Sequence, residues 1–307
     1  MPSQIIQWFP GHMAKTRRTI KEHMPLVDIV IEILDARIPY SSKNPELKRL
    51  IGNKPVITVF TKYSLADPNV SAIWKKYYSD NQNECVFVDC ITGYGMNNIS
   101  PAIKNVLSEK IAKYESKGMT GRQLKAMIVG IPNVGKSSII NKLAGNKKAK
   151  VENRPGVTKD IQWVTTKLGF DLLDTAGVLW PKFDERIVGE NLAITGAIKD
   201  DILDSETIAT VLCRRMMSLY PKEFCERFKL GDPELLKNTP DYAIFELVGR
   251  KRGLIVSGGE INYERTAMTL LDEFRSGKIG RITLEKPPVN SSGSKLAESK
   301  DARDENA

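Results

Sequence analysis

The 307-residue sequence has no long apolar run, so no stretch of it reads as a membrane span. It holds only four cysteines, Cys85, Cys90, Cys213 and Cys225, with no C-x-x-C pair, and only two histidines. That set is too sparse for a zinc site, and it fits reduced, mostly buried thiols in a cytosolic protein. Residues 1–8 lack both the apolar core of a secretory signal and the Arg-rich pattern of a transit peptide, so a cytoplasmic location is expected. Negative charge is in deficit: 37 Asp and Glu face 46 Lys and Arg, leaving +9 at pH 7. With no membrane span, that excess suggests a polyanionic partner, nucleic acid before membrane. The length allows two domains.

What is present is organised around Gly130-Ile131-Pro132-Asn133-Val134-Gly135-Lys136-Ser137, a G-x-x-x-x-G-K-S pattern. The apolar run Ala126-Met127-Ile128-Val129 before it reads as a strand, and residues 138–144 read as a helix stopped by Gly145. In that setting the glycines let backbone N–H groups converge on phosphate oxygens, helped by the helix dipole. Nucleotide contacts are expected from Asn133, Val134, Gly135, Lys136, Ser137 and Ser138. Lys136 would reach the outer phosphates, and the Ser137 hydroxyl would ligate Mg²⁺. Asp174-Thr175-Ala176-Gly177 ends a strand 37 positions after Ser137. There Asp174 suits the Mg²⁺ shell, and the Gly177 N–H could sense a γ-phosphate. Thr158, in Arg154-Pro155-Gly156-Val157-Thr158, could complete the metal's coordination when a triphosphate is bound.

Short apolar runs at 27–34, 55–60 and 85–88 alternate with helix-compatible segments at 13–24, 46–50, 69–78 and 98–114. This is the pattern of an α/β domain with a mostly parallel sheet and helices on both faces, whose ligands sit at the carboxyl ends of strands. Residues 162–168 and 170–173 read as two further strands joined through Gly169. From residue 184 the periodicity becomes helical. Ile187, Ile194, Ile198 and Ile202 fall on one face, then Ile208, Val211, Leu212, Met216 and Leu219, then Ile244, Leu247 and Val248, and then Ala267, Leu270, Leu271 and Phe274. Gly253 and Gly277 are the expected stops. A small all-helical domain over 184–285 is therefore expected after an α/β domain over 1–183. Its basic residues lie off the apolar stripes, with Arg250-Lys251-Arg252 the best candidates for RNA phosphate contact. Residues 286–307 are Pro-, Ser- and charge-rich and read as disordered.

The phosphate loop, the Thr158 segment and Asp174-Thr175-Ala176-Gly177 resemble a translation-factor-class P-loop GTPase. Such domains place their guanine-reading segments after these motifs. Here the nearest matches, Phe60-Thr61-Lys62-Tyr63-Ser64 and Asp89-Cys90-Ile91-Thr92-Gly93, come before them. That rotated order resembles the circularly permuted GTPases. Trp8-Phe9-Pro10-Gly11-His12-Met13, Asp35-Ala36-Arg37-Ile38-Pro39 and Gly177-Val178-Leu179-Trp180-Pro181-Lys182-Phe183 are similar to one branch, the ribosome biogenesis GTPase A family, and the likeness runs over residues 4–285. The resemblance implies an enzyme that hydrolyses GTP to GDP and phosphate, slowly alone and faster on the ribosomal particle. It implies an assembly factor for the large ribosomal subunit whose helical domain binds rRNA. Base-side contacts would come from Thr61, Lys62, Ser64, Cys90 and Ile91. A monomer is expected, although the sequence sets neither oligomeric state nor a bacterial or organellar origin.

Three departures from the resemblance matter: Val178, the N-K-x-D segment, and the second base-side loop, where the usual S-A-x-x-G reads Asp89-Cys90-Ile91-Thr92-Gly93. Val178 stands where many small GTPases carry a water-orienting glutamine, so His12 becomes the candidate to orient or deprotonate water beside Lys136 and Gly177; a His that only caps the turn after Pro10-Gly11 is the alternative. Asn133 matches either a K⁺ ligand beside the phosphates or a residue that packs the loop. The usual N-K-x-D reads Thr61-Lys62-Tyr63-Ser64, which removes the guanine-reading carboxylate, and Asp67 could replace it only if the loop bends. A nucleotide-indifferent RNA-binding module with a degenerate pocket, and a P-loop ATPase, are the competing readings. Because the chain runs from Gly177 straight into the helical domain, nucleotide state could reset that domain. On that view Gly177→Ala spares GDP binding and abolishes GTP-dependent particle binding.

Overall fold

The computed structural model describes residues 11–119, 121–145, 162–166 and 169–288; Thr158 and residues 1–10 lie outside them. Helix α1 (Gly11–His23) precedes strand β1 (Ile29–Asp35), which is buried along its whole length. The chain then alternates through α2 (Pro45–Ile51), β2 (Val56–Thr61), α3 (Pro68–Asp80) and β3 (Cys85–Phe87). Next come α4 (Ile99–Val106), α5 (Ser108–Glu115), β4 (Leu124–Gly130) and α6 (Lys136–Ala144), and then β5 (Gln162–Thr165) and β6 (Phe170–Asp174). The strand order is β3-β2-β1-β4-β6-β5. Neighbours run parallel except β5, which pairs antiparallel with β6.

Both faces of the sheet are covered, which is why its central strands read as nearly unbroken apolar runs. Ile29, Ile31 and Ile33 pack with Ile57, Val59, Ala126 and Ile128 toward α4 and α6. Val30, Met127 and Val129 face the opposite way, onto Ile20 and Met24 and onto Leu47 and Ile51 of α2. Leu34, Phe60 and Phe87 share that second face with Trp74 and Tyr78 of α3. The helix expected over 98–114 is two helices, broken at Leu107. Leu107 drops into the core beneath α4, whereas α5 buries none of its residues.

The helical part comprises α7 (Arg186–Ile194), α8 (Ser205–Leu219), α9 (Pro221–Phe228), α10 (Pro233–Leu236), α11 (Asp241–Lys251) and α12 (Tyr263–Arg275). Helix α8 is its centre and packs on α7, α11 and α12. The expected single face from Ile187 to Ile202 is not one helix. Helix α7 ends at Ile194, the chain turns at Gly196 with φ of 75°, and Ile187 and Ile202 are exposed. The other three apolar stripes lie on α8, α11 and α12, and Gly253 and Gly277 follow the last two with positive φ. No helix among the described residues is long and apolar enough to cross a membrane.

After α12 the chain turns back. Residues 281–285 run along the α/β part: the Ile282 N–H donates to the Leu65 carbonyl, and the Leu284 N–H donates to the Arg37 carbonyl. Glu285 is gripped by the Tyr40 and Ser41 N–H groups, the Ser41 hydroxyl and Asn191 Nδ2. The two parts are thus tied at both ends of the helical segment.

Candidate nucleotide site

In register, Ile33 of β1 lies beside Gly130 of β4, and Asp35 beside Thr61 of β2. Four parallel strands therefore present their carboxyl ends side by side, with the phosphate loop after β4 and the two base-side loops after β2 and β3. Neighbouring strands lie about 4.8 Å apart, so a nucleotide laid across these ends could reach from one group to the other.

The loop is held tightly to the sheet. A Cβ on Gly130 would meet the Ile33 carbonyl oxygen at 2.6 Å, so only glycine lets the backbone pass there. Lys136 is buried, and its ammonium donates to the Gly130 and Ile131 carbonyls at 3.1 and 2.7 Å. Those bonds hold the ammonium inside the loop. The Thr61 hydroxyl lies 2.5 Å from the Val134 carbonyl and 3.0 Å from that of Leu34, a shared donor that ties β2 to the phosphate loop. Asn133 has φ of 55°, and its Nδ2 donates to the Gly196 carbonyl at 2.7 Å, linking the loop to the turn after α7.

Across the loop, Asp174 is 1 % exposed, and both carboxylate oxygens are buried without a hydrogen-bond partner. Burial pushes its carboxyl above the ordinary range, with the Lys136 charge only partly offsetting this. Burial likewise pushes the Lys136 ammonium down. Two buried carboxylate oxygens within reach of a phosphate-loop lysine's charge, with the loop's Ser137 as a second oxygen donor, are a donor set suited to Mg²⁺. The Thr175 hydroxyl donates to the Ile128 carbonyl at 2.6 Å and fixes the turn after β6.

Gly177 presses on the phosphate loop. A Cβ there would lie 2.6 Å from both Cα and N of Pro132. The following N–H, of Val178, donates to Gly130 O at 3.2 Å, and the Val178 side chain is buried. The expectation that Gly177→Ala spares GDP therefore changes. An added methyl would shift the loop itself, and GDP affinity should fall about tenfold or more, as a calorimetric titration would show. Unchanged GDP affinity would mean that the contact relaxes at no cost.

On the base side, Lys62 takes up φ of 57° and places its ammonium 2.9 Å from Asp35 Oδ2. Ser64 lies under the next loop, its N–H and hydroxyl both directed at Asp89 Oδ2. Cys90 is half-buried, its thiol pushed up to about 11 by burial, and Ile91 is 88 % exposed. Asp67 does not turn toward the base. Its Oδ1 accepts the Asn69 and Val70 N–H groups at the start of α3, and its Oδ2 accepts the Tyr220 hydroxyl. His12 is the second residue of α1, and its side chain lies outside the described set.

Most arginines of the helical part serve as internal clamps. Arg252 and Arg227 both hold Glu273, and Arg252 also lies 4.9 Å over the Phe228 ring. Arg275 holds Asp200 and the carbonyls of Ala193 and Ile194. Of the basic cluster at the end of α11, Arg250 and Lys251 face solvent while Arg252 turns inward. A charge pattern alone cannot separate these two fates.

A phosphate loop whose base-side loops come from strands earlier in the chain defines a P-loop GTPase domain of circularly permuted order. Residues 125–215 match the family described as 50S ribosome-binding GTPase. Ribosome biogenesis GTPase A of Bacillus licheniformis is 44% identical over 284 residues, covering 92% of this chain and 99% of the relative. Mitochondrial ribosome-associated GTPase 1 of Mus musculus is 32% identical over 92% of this chain and 90% of its own. The GNP-bound crystal structure of YlqF from T. maritima superposes with a TM-score of 0.60 at 25% identity, covering 89% of this chain and 98% of that one. The chain belongs to the ribosome biogenesis GTPase A family.

Proposed function

We propose that this GTPase works on the large ribosomal subunit during its assembly, with residues 1–183 as the nucleotide-hydrolysing domain and residues 184–285 as the part that contacts rRNA. The observation that carries the nucleotide half is Asp174, buried with two unpartnered oxygens beside a phosphate-loop lysine. That arrangement is costly without a ligand and suits a Mg²⁺-bound triphosphate. Ser137 and Asp174 would hold the ion, together with Thr158. An ion held there would supply positive charge against the charge that develops on the phosphates.

The chain's own part in hydrolysis is positional and electrostatic. The Lys136 ammonium leaves the Gly130 and Ile131 carbonyls for the phosphates. The Gly177 N–H faces the γ-phosphate, and His12 orients or deprotonates the attacking water, since Val178 has no polar group for it. Asn133 would hold a K⁺ ion beside the phosphates, adding positive charge there. A cytoplasmic protein fits this role. The direct test is GTP hydrolysis measured with and without large-subunit particles. Stimulation by the particle supports the reading, and the same slow rate in both would sink the ribosomal half.

Exposed Arg250 and Lys251 are the residues from which rRNA contact is expected. Binding to rRNA should weaken steeply between roughly 50 and 200 mM salt, because each phosphate neutralised releases counterions. Removing both charges should flatten that slope by about two units. A salt-independent affinity would count against an RNA partner.

A further inference from the structure

Guanine differs from adenine in presenting two adjacent donors, the ring N1–H and the C2 amine. A site that reads them needs an acceptor, preferably one backed by negative charge. Three carboxylates lie at or just beyond the ends of β1, β2 and β3: Asp35, Asp67 and Asp89. Asp35 is consumed by Arg37 and Lys62, and Asp67 by the start of α3 and Tyr220. Asp89 remains.

Asp89 is 2 % exposed, and all its donors come from the two base-side loops. Its Oδ2 accepts the Ser64 N–H at 3.2 Å and the Ser64 hydroxyl at 2.5 Å. Its Oδ1 accepts the Ile91 and Thr92 N–H groups at 2.9 and 2.8 Å and the Thr92 hydroxyl at 3.2 Å. Burial alone would raise its carboxyl; the bonds from Ser64, Thr92 and Ile91 outweigh that and hold it below the ordinary range. The carboxylate is thus fixed and charged one bond behind Ser64. A hydroxyl has one proton, and Ser64 gives its proton to Asp89, so Ser64 Oγ offers only lone pairs to anything else. The residue types at the two base loops are also exchanged relative to the pattern they resemble. Serine stands where the loop after β2 would carry the carboxylate, and aspartate stands where the loop after β3 would carry serine.

We propose that Ser64 and Asp89 form a split guanine reader: Asp89 orients and polarises the Ser64 hydroxyl, and Ser64 Oγ accepts a hydrogen bond from the guanine N1–H or C2 amine. The proposal rests on the guanine-nucleotide reading above. Asp89 acts through Ser64 and is a positioning residue, so its signature lies in base preference more than in affinity for phosphates.

The test titrates wild type and variants, at fixed Mg²⁺, with GDP, ADP and xanthosine diphosphate. Wild type should bind GDP at least tenfold more tightly than ADP, and Asp89→Ser should lose most of that ratio. Ser64→Asp alone sets two carboxylates together and should weaken GDP tenfold or more. The Ser64→Asp/Asp89→Ser double variant returns the charge to the other loop and should recover the wild-type GDP:ADP ratio. Asp89→Asn can donate its amide to Ser64 Oγ and turn the hydroxyl proton toward the base. Xanthine has a carbonyl in place of the C2 amine, so this variant should raise the XDP:GDP ratio severalfold, which a loss of structure would not do. A wild-type GDP:ADP ratio in Asp89→Ser overturns the split reader and leaves the GTPase reading standing. If Asp89→Ser does not fold, an unchanged XDP:GDP ratio in Asp89→Asn overturns it equally. A wild type that binds GDP and ADP alike overturns both.

Discussion

Replacing Arg37 with leucine is expected to lower stability by about 3–5 kcal/mol, the usual cost of removing one partner from a buried ion pair. Arg37 and Asp35 are almost fully buried, and the guanidinium grips Asp35 through Nε and Nη2 at 3.0 and 2.8 Å. Burial would raise Asp35, but the Arg37 and Lys62 cations outweigh it and hold the carboxyl well below its usual range. Without the guanidinium, Asp35 keeps Lys62, whose side chain is a quarter exposed, and the backbone N–H of residue 37. The same guanidinium reaches the Arg275 carbonyl and lies 5.4 Å over the Phe274 ring, both at the end of α12. Its loss therefore also loosens the helical part from the sheet. Thermal denaturation at neutral pH should show a fall of roughly 6–15 °C. A depressed carboxylate contributes stability above its unfolded pKa, near 4, and loses it as pH falls through the lower folded value. Wild type should therefore keep this contribution into acid, and the Arg37→Leu difference should shrink below pH 4. A change under about 1 kcal/mol at neutral pH would show that the pair adds little to holding the fold.

This residue also marks the limit of what could be read in advance. The alternation of apolar runs and helices, the strand–turn–helix setting of the phosphate loop and the strand that ends at Asp174 were legible because each depends on local spacing. The parallel sheet and the ends of its strands followed from them. Arg37, Arg252 and Arg275 were not legible as clamps, because their partners lie far along the chain and a basic residue off an apolar stripe reads the same whether solvated or paired. Asp67 offered itself as a substitute carboxylate by proximity in sequence, but the start of α3 claims it. Asp89 could have been found by noticing that a serine and an aspartate had changed places between two loops. The break at Leu107 and the early end of α7 failed for a different reason: helical spacing continues through a turn whenever the residues beyond it are also buried.

Neutralising Asp174 as Asp174→Asn should make the nucleotide-free protein more stable at neutral pH while disabling the enzyme. The two carboxylate oxygens are buried without a hydrogen bond of good geometry, and the net effect on the charged form is unfavourable even with Lys136 and the Thr175 N–H nearby. The folded state therefore holds this proton to higher pH than the unfolded state does. By linkage, wild-type stability falls as pH rises from the ordinary carboxylate range toward neutrality. The buried Lys136 shift has the opposite sense, restoring stability only in alkali, so the pair weighs most on the empty protein near neutral pH. Removing the negative charge should return about 1–3 kcal/mol, seen as a Tm several degrees higher at pH 7–8 and little changed near pH 4. In the same variant, GTP hydrolysis should fall about 10²–10³-fold and Mg²⁺ should no longer strengthen nucleotide binding. If Asp174 holds the ion as proposed, the cost of its buried charge would be offset on binding. A variant that is less stable than wild type at neutral pH, or that still binds nucleotide in a Mg²⁺-dependent way, would show that Asp174 serves the fold instead of the ligand.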